Sequence, residues 1–264
     1  MNTTMLIHYS GRGKLLNRVI LSVIILMSPL YLSGMIPTDT SCGMATVFSD
    51  NFNLPDINTA KWNTSYPDGQ GELQWYTPDA LSVNNNVLTI TAEKRKLYWQ
   101  NFTSGIMTTQ GTFKQLYGYF EIRAKVPKGR GFLPAFWLMP ASGKWPPEID
   151  VFEILGQEPN KVYMTEHYLD SSGNQAEQQQ FFVGPDFSKD FHTYAVDWTP
   201  DKITWYVDGV ERFSTTQNVP HEPMFLLVNL AVGGNWPGPP DAATVFPSTM
   251  EVSYVHVYAR SCRY

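Results

Sequence analysis

Glu148, Asp150 and Glu153 bring three carboxyl groups into one short segment of the chain. Alternate residues of a β-strand share a face, so Glu148 and Asp150 point to the same side. Glu153 would point to the opposite side of a regular strand. One extra residue, a β-bulge between Asp150 and Glu153, would turn it back and would also explain why Val151 and Phe152 are both large and apolar. The spacing therefore predicts three acids on one face of a bulged strand.

Three acids on one face repel one another and lose hydration, so a purely structural role would require them to be solvated or paired with Lys and Arg. Their neighbours are bulky and apolar, and only 16% of the chain is charged, which favours an active site. Such a group suits the cleavage of glycosidic bonds. One carboxylate attacks the anomeric carbon, while another protonates the leaving oxygen and later activates water. A third can raise its partner's pKa, so that one group stays protonated near neutrality.

The elements that must position these acids are predicted to be strands. From Thr46 onward, short runs rich in β-branched and aromatic residues alternate with Gly, Pro, Asn and Asp. Asp208-Gly209 is typical of a two-residue hairpin turn. No long window after the N-terminal segment has the apolar period of a helix, so we expect one all-β domain, a sandwich or a barrel.

The composition excludes some partners and cofactors. With 24 acidic and 19 basic residues the net charge is -5, which gives no reason to expect a nucleic-acid partner. No His/Cys cluster indicates a zinc site. We expect a monomer that acts on a polysaccharide without a cofactor.

The N-terminal segment resembles an export signal. Arg12, Lys14 and Arg18 precede an apolar run over residues 19–36. Ser, Pro and Gly interrupt this run, which makes it a poor membrane span, although an uncleaved anchor is the alternative. We therefore predict a signal peptide or export segment over residues 1–41 and a single catalytic domain over residues 42–264. The protein would be extracellular or periplasmic, with no stable membrane insertion after removal of the signal.

The chain has two cysteines, Cys42 and Cys262, close to the two ends of the predicted domain. In an exported protein an oxidised pair that ties the termini together is reasonable. Two free thiols are the alternative, as is the loss of Cys42 with the signal peptide. A disulfide is the favoured prediction.

The segment Glu148-Ile149-Asp150-Val151-Phe152-Glu153 resembles the E-x-D-x-x-E signature of glycoside hydrolase family 16, which includes laminarinases and lichenases. The resemblance extends over nearly the whole predicted domain. Other segments resemble the family's motifs and follow in the family's order: residues 117–123, 134–137, 191–198, 205–209 and 229–238.

This resemblance implies a β-jelly-roll sandwich of two curved antiparallel sheets, with a substrate cleft along the concave face. It also implies a retaining double displacement with Glu148 as nucleophile, Glu153 as general acid/base and Asp150 as their helper. The extra residue between Asp150 and Glu153 resembles the branch that includes laminarinases. The Trp-Pro-Pro run before Glu148 resembles bacterial glycanases that trim exopolysaccharides such as succinoglycan. The expected activity is that of a secreted endo-β-glycanase that cuts internal β-1,3 or β-1,4 bonds.

Further side chains are predicted to contact the sugar. Tryptophan faces pack against the C–H face of a sugar ring, although the core is the alternative for each tryptophan. The arginine can instead pair with one of the acids, and the histidine can be structural. Residue type and position predict Trp137 and Trp145, and the resemblance implies the other substrate-binding residues, Arg123, His167, Asn229 and Trp236.

One departure from the family's pattern and two alternative functions remain. Many relatives bind calcium on the convex side through two acids, and Asn51 and Ser253 stand at the corresponding places here. Calcium requires several oxygen ligands with carboxylate charge, so we expect no such site or a weak one. A non-catalytic carbohydrate-binding protein and a transglycosylase are the alternative functions on the same fold. The intact acids disfavour the first, and the second differs only in the acceptor of the intermediate.

Overall fold

Alternating apolar residues build the strands into two sheets that share one core. In the strand Gly118–Lys125, Phe120, Ile122 and Ala124 are fully buried, while the residues after each of them are half-exposed. Successive strand residues point to opposite faces, so one face of such a strand covers the core and the other meets solvent. The computed structural model describes residues 42–67 and 71–262, in which every regular element except one short 3-10 helix is a β-strand.

The strands are numbered in chain order. Their bounds are β1 Cys42–Asp50, β2 Gln74–Tyr76, β3 Leu81–Asn84, β4 Val87–Ala92, β5 Phe102–Ser104, β6 Ile106–Thr108, β7 Gly118–Lys125, β8 Phe132–Pro140, β9 Glu148–Glu153, β10 Lys161–Leu169, β11 Gln175–Val183, β12 His192–Trp198, β13 Ile203–Val207, β14 Val210–Thr215, β15 Met224–Val232 and β16 Ser248–Cys262. The 3-10 helix spans Pro78–Ala80.

Two antiparallel sheets carry almost all of these strands. The eight-stranded sheet has the order β14-β13-β12-β7-β16-β4-β3, and β1 also pairs with β16. The six-stranded sheet has the order β11-β10-β9-β8-β15-β6, and β2 pairs with β5 in parallel. The predicted β-jelly-roll sandwich is confirmed. The predicted hairpin turn is also confirmed, since Asp208 and Gly209 both have a positive φ between β13 and β14.

The core between the sheets fixes the strand that carries the acids. Phe152 of β9 packs on Tyr194 of β12, with ring centroids 4.2 Å apart. Val151 and Phe152 are both fully buried, and each such side chain contributes about 1.5–3 kcal/mol relative to an exposed one. The segment that bears the acids is therefore anchored to the opposite sheet.

Several predictions fall on the ends of the chain. The predicted export segment, residues 1–41, lies outside the described residues. Cys42 stands directly opposite Cys262 in the register of β1 and β16, but the side chains of both lie outside the described part, so the disulfide stays a prediction. Within the described ranges, no helix has the length and apolar character of a membrane span.

The positions compared with a calcium site carry other contacts. The Asn51 side chain lies 2.9 Å from His256 Nε2, and the Ser253 hydroxyl accepts a contact of 3.4 Å from the Arg123 guanidinium. Neither residue has a carboxylate, and a guanidinium repels a cation. Calcium prefers carboxylate oxygens, so these contacts disfavour the ion, and a missing or weak calcium site stays a prediction.

Glu166 is a buried acid on the core face of β10. It is fully buried, and neither of its carboxyl oxygens has a hydrogen-bond partner. Its cross-strand neighbours are Ile149 and Gln178. Burial raises the pKa of Glu166 to about 8, although the adjacent His167 charge lowers it in part. The carboxyl is therefore held protonated at neutral pH inside an apolar core.

We expect Glu166 to make the fold less stable as the pH rises. The carboxyl ionises at its ordinary pKa, about 4.3, in the unfolded chain but only near 8 in the folded one. The unfolded state therefore gains from ionisation between these values, and stability falls across this window. Glu166→Met should raise the free energy of unfolding by about 1–3 kcal/mol near pH 8 and remove this fall.

Thermal denaturation from pH 4 to 9 measures both effects. A gain of 1 kcal/mol corresponds to roughly 2–4 °C in Tm for a domain of this size. Glu211→Gln, at a solvent-exposed acid on β14, is the matched control and should follow the wild type. Parallel curves for wild type and Glu166→Met would contradict the assignment.

Candidate active site

A β-bulge in β9 gathers the three acids on one face. Residues 167, 165 and 163 of β10 share a face, and they stand opposite Glu148, Asp150 and Glu153 respectively. Directly paired residues of neighbouring strands point to the same side, so the three acids do as well. The register slips by one residue between Asp150 and Glu153 against both β8 and β10. The bulge predicted from the sequence is present, and Glu153 does not turn into the core.

The bulge is held from the opposite sheet. The Trp205 indole, on β13, donates a hydrogen bond of 2.8 Å to the backbone carbonyl of Asp150. The Trp205 ring is fully buried and stacks on Phe213, with centroids 4.8 Å apart. A bulge disrupts the local ladder, and a buried carbonyl without a partner is costly. Trp205 supplies that partner, so it positions the acids from the core side of β9.

Glu148 is the first of the three acids along β9. The Trp145 indole donates to one of its carboxylate oxygens, and His167 Nε2 lies 3.9 Å from the other. Burial and, next, the Asp150 charge raise the pKa of Glu148 above its usual range, against the lowering effects of His167 and Trp145. Glu148 also lies within hydrogen-bonding reach of Asp150, so the two carboxyls can share one proton.

Asp150 and His167 form an ion pair beneath the groove. The distance from His167 Nε2 to the Asp150 carboxylate is 3.1 Å, and Asp150 is buried. Burial, followed by the Glu153 charge, raises the pKa of Asp150 to about 6, while the His167 hydrogen bond lowers it. Burial lowers the pKa of His167, but the hydrogen bond and charge of Asp150, with the charges of Glu148 and Glu153, outweigh it and raise the value to about 9. His167 is therefore a cation at neutral pH.

Glu153 is the third acid, and it is also held protonated at neutral pH. Burial first, and the Glu148 charge second, raise the pKa of Glu153 to about 8. Across the described residues, no side chain donates a hydrogen bond that would stabilise its charged form. The arrangement thus contains one protonated acid, a carboxylate pair that shares a proton, and a cation. These are the components of general acid catalysis beside a nucleophile.

The donor atoms of Glu148, Asp150 and His167 lie within 4.8 Å of one another, a spacing that a metal ion could bridge. A metal binds the neutral imidazole, so it would have to displace the proton that the surrounding acids favour on His167. The absence of a metal at this set stays a prediction.

Aromatic side chains form the wall of a groove beside Glu148. The groove has a volume of about 690 Å³ and is lined by Tyr66, Tyr76, Trp137, Trp145 and Asn229, among others. The Trp137 indole donates to Asn229 Oδ1 over 2.8 Å, and the Asn229 amide donates to the Tyr76 hydroxyl over 2.9 Å. Asn229 is itself buried, so its role in the geometry is to fix the two rings.

A second aromatic group lies next to Glu153. Tyr163, the cross-strand partner of Glu153, packs edge-on against Trp236 with centroids 4.7 Å apart. Trp236 is 40% exposed and Phe181, on the same face, is 56% exposed. Aromatic surface is therefore available on both sides of the acids, with Trp145 near one end and Trp236 near the other.

The predicted placement of Arg123 is wrong. Arg123 lies on β7 in the eight-stranded sheet, between the fully buried Ile122 and Ala124, so its side chain points away from the core and from the groove. Its guanidinium lies over the Phe191 ring, 4.8 Å from the centroid. It pairs with none of the three acids, because both sheets and the core between them separate the side chains. The other five predicted binding residues lie beside the acids or in the groove wall.

Sequence reasoning missed several residues of the site. Tyr163 could have been found, because alternation along β10 places it on the face of His167. Glu177, whose carboxylate lies 3.6 Å from His167 Nδ1, follows from the pairing of β10 with β11. Trp205 and Tyr66 carried no signal, since they reach the site from the other sheet and from a loop.

We expect His167 to remain protonated well above neutrality. Its ring nitrogens, followed by ¹⁵N NMR, should titrate near pH 9. Asp150→Asn removes the hydrogen-bonded charge and should lower the pKa of His167 by about 1–3. His256, on the eight-stranded sheet, is the internal control and should not change. A wild-type midpoint near the ordinary histidine value, about 6.5, would contradict this network.

The model of "Glycosyl hydrolases family 16" matches residues 70–254. The endo-1,3-1,4-beta-glycanase EglC of Rhizobium meliloti (strain 1021) is 39% identical over 245 residues, which cover 82% of this chain and 52% of that protein. The chain thus spans about half the length of that relative.

Two further relatives match nearly end to end. A beta-glucanase of Rhodothermus marinus is 35% identical over 272 residues, with 90% of this chain and 92% of that protein covered. The X-ray structure of the laminarinase from Rhodothermus marinus superimposes with a TM-score of 0.76 and 32% identity, over 83% of this chain and 99% of that one. The family model matches residues 70–254, which are most of the chain, so this chain belongs to glycosyl hydrolase family 16.

Proposed function

We propose that this protein is a retaining endo-β-glycanase that hydrolyses internal β-glycosidic bonds of a polysaccharide. The observation that carries the proposal is the gathering of Glu148, Asp150 and Glu153 on one face of the bulged strand β9, under a groove with aromatic walls. Two carboxyls in different protonation states are what glycoside hydrolysis requires.

In the first step, Glu148 attacks the anomeric carbon while the bond to the leaving sugar oxygen breaks. Glu153 gives its proton to that oxygen, and a covalent glycosyl ester forms on Glu148. In the second step, Glu153 accepts a proton from water, which attacks the same carbon and releases Glu148. Two inversions at one carbon retain the anomeric configuration.

Asp150 controls the protonation state of the nucleophile, Glu148. Glu148 can attack only when the proton that the two carboxyls share lies on Asp150. His167 and the Trp145 indole then face the remaining negative charge, at 3.9 Å for the histidine. Both groups stabilise Glu148 as a carboxylate and as the leaving group of the second step.

The aromatic surfaces favour internal cleavage of long chains. Trp137 and Trp145 stand on the Glu148 side, and Trp236 with Tyr163 on the Glu153 side. Rings on both sides of the acids can hold sugar units before and after the bond that is cut. EglC is an endo-1,3-1,4-beta-glycanase, which supports β-1,3 or β-1,4 linkages as the target. An exopolysaccharide such as succinoglycan is the finer proposal.

We also propose that the protein acts outside the cytoplasm as a monomer. The basic residues before the apolar run over residues 19–36 support an export signal. A polysaccharide that is too large to enter the cell must be cut where it lies. Intact-mass analysis of the secreted protein, with and without reduction, would give the start of the mature chain and the state of Cys42 and Cys262.

The two glutamates should respond differently to substitution. Glu148→Ala removes the nucleophile and Glu153→Ala removes the proton donor, so each should lower kcat/KM on polysaccharide by about 10²–10⁴-fold or more. Azide replaces the missing carboxylate in both variants. With an aryl glycoside, Glu153→Ala should give the β-glycosyl azide and Glu148→Ala the α-glycosyl azide, as NMR of the products would show.

The exposed acid variant Glu211→Ala is the control and should keep wild-type rates. Wild-type kcat/KM should also fall as the pH rises through about 8, because Glu153 then loses the proton that it must donate. Identical azide products from both glutamate variants would contradict the assigned roles.

A polysaccharide panel tests the activity itself. Laminarin, mixed-linkage glucan, agarose, carrageenan and succinoglycan should be digested, and NMR should record the first anomer released. We expect early β-anomer from a β-glucan or succinoglycan, and oligosaccharides rather than single sugars. Products that lengthen with added acceptor would indicate a transglycosylase. Binding without any product would indicate a carbohydrate-binding protein, and early α-anomer would overturn the retaining mechanism.

A further inference from the structure

Three aromatic rings stand together on a surface that the groove does not use. Trp99 is 71% exposed and Tyr98 is 66% exposed. Both contact Trp75 of β2, with ring centroids 4.8 Å and 4.7 Å away, and the two lie 6.0 Å from each other. Large aromatic side chains that are this exposed and mutually packed are the usual mark of an interaction site.

The hairpin that presents these rings departs from the ordinary chemistry of turns. Leu97 and Gln100 exchange two backbone hydrogen bonds of 3.1 Å, so Tyr98 and Trp99 are the central residues of a two-residue turn. Tyr98 has a φ of 53°, in the left-handed region, where a glycine or asparagine is usual. Two bulky rings at the tip of such a turn oppose local preference. Residues that oppose the local backbone preference are expected at sites where a functional requirement outweighs the cost in folding stability.

The cluster is separate from the groove but continuous with its rim. Tyr76 turns its hydroxyl toward Asn229 in the groove, and Trp75, the preceding residue of β2, points to the opposite side. The Gln100 side chain donates to the backbone carbonyl of Glu72, a residue that lines the groove. One short strand thus faces the groove on one side and the cluster on the other.

We propose that Trp75, Tyr98 and Trp99 form a second glycan-binding surface, which holds a stretch of the polysaccharide outside the groove. Sugar rings present apolar C–H faces to aromatic rings, and the exposed rings are rigid because they pack on one another. Continuity with the groove rim favours a glycan chain over other occupants. The inference rests on the proposed function for the nature of the ligand. Its consequence is tighter binding to long polymers than to short oligosaccharides.

The variant Tyr98→Gly/Trp99→Ser tests the proposal without endangering the fold. Glycine suits the positive φ of residue 98, and the backbone hydrogen bonds of the turn remain. In full-length protein inactivated by Glu148→Gln, this variant should bind insoluble β-1,3-glucan or mixed-linkage glucan roughly tenfold more weakly, by affinity electrophoresis and sedimentation. In active protein, kcat/KM on a short oligosaccharide should stay unchanged.

Two control variants should behave differently from Tyr98→Gly/Trp99→Ser. Tyr206→Ala removes a half-exposed ring from the eight-stranded sheet and should change neither readout. Trp137→Ala removes a groove wall and should lower oligosaccharide hydrolysis. Unchanged polymer binding by Tyr98→Gly/Trp99→Ser would overturn the proposal. An equal loss on the oligosaccharide would also overturn it, because the rings would then belong to the groove.

Other outcomes remain distinguishable. If the wild type dimerises at high concentration and only Tyr98→Gly/Trp99→Ser is monomeric, with polymer binding intact, the cluster contacts a second copy and the proposal fails. If the wild type hydrolyses no polysaccharide of the panel, the proposed function fails. Polymer retention that depends on Tyr98 and Trp99 would still support the surface in that case.

Discussion

The acidic face depends on one irregularity in one strand. Without the bulge after Asp150, Glu153 would point into the core and either Val151 or Phe152 would point into the groove. Burial of both apolar side chains drives the bulge, since both pack between the sheets. Trp205 completes it from the opposite sheet by binding the Asp150 carbonyl. The catalytic arrangement is therefore a consequence of how the two sheets pack.

Crowding of the acids gives them different protonation states. Burial raises the pKa of all three acids, and it also limits how much solvent can screen their mutual repulsion. The His167 cation and the Trp145 indole bind Asp150 and Glu148 directly, whereas within the described residues His167 acts on Glu153 through its charge and no side chain donates a hydrogen bond to it. Carboxyl groups of similar intrinsic acidity thus acquire different roles from their surroundings. Glu166, one position from His167, is a contrasting case, a buried acid on the core face of β10 whose oxygens have no hydrogen-bond partner.

The aromatic residues divide into those that hold the fold and those that meet solvent. Trp205 is fully buried and positions the acids, whereas Trp145 and Trp236 are about two-fifths exposed beside them. Trp137 is intermediate, because Asn229 fixes its indole while its ring lines the groove. Composition alone assigned most aromatics to the core, and the exposed ones stand along the groove and on the hairpin of residues 97–100.

The amino-acid sequence by itself determined the all-β class, the acidic triplet and its bulge, because strand alternation and apolar spacing are local properties. It also identified His167 through resemblance to a family, and Trp145 through its residue type and its position beside the acids. Only the tertiary structure decided which sheet each strand joins. Arg123 was misplaced for that reason, since local pattern gives a strand's two faces but not which of them meets the groove. The partner of the Asp150 carbonyl lies fifty-five residues away, and such a contact exists only after the sheets pack.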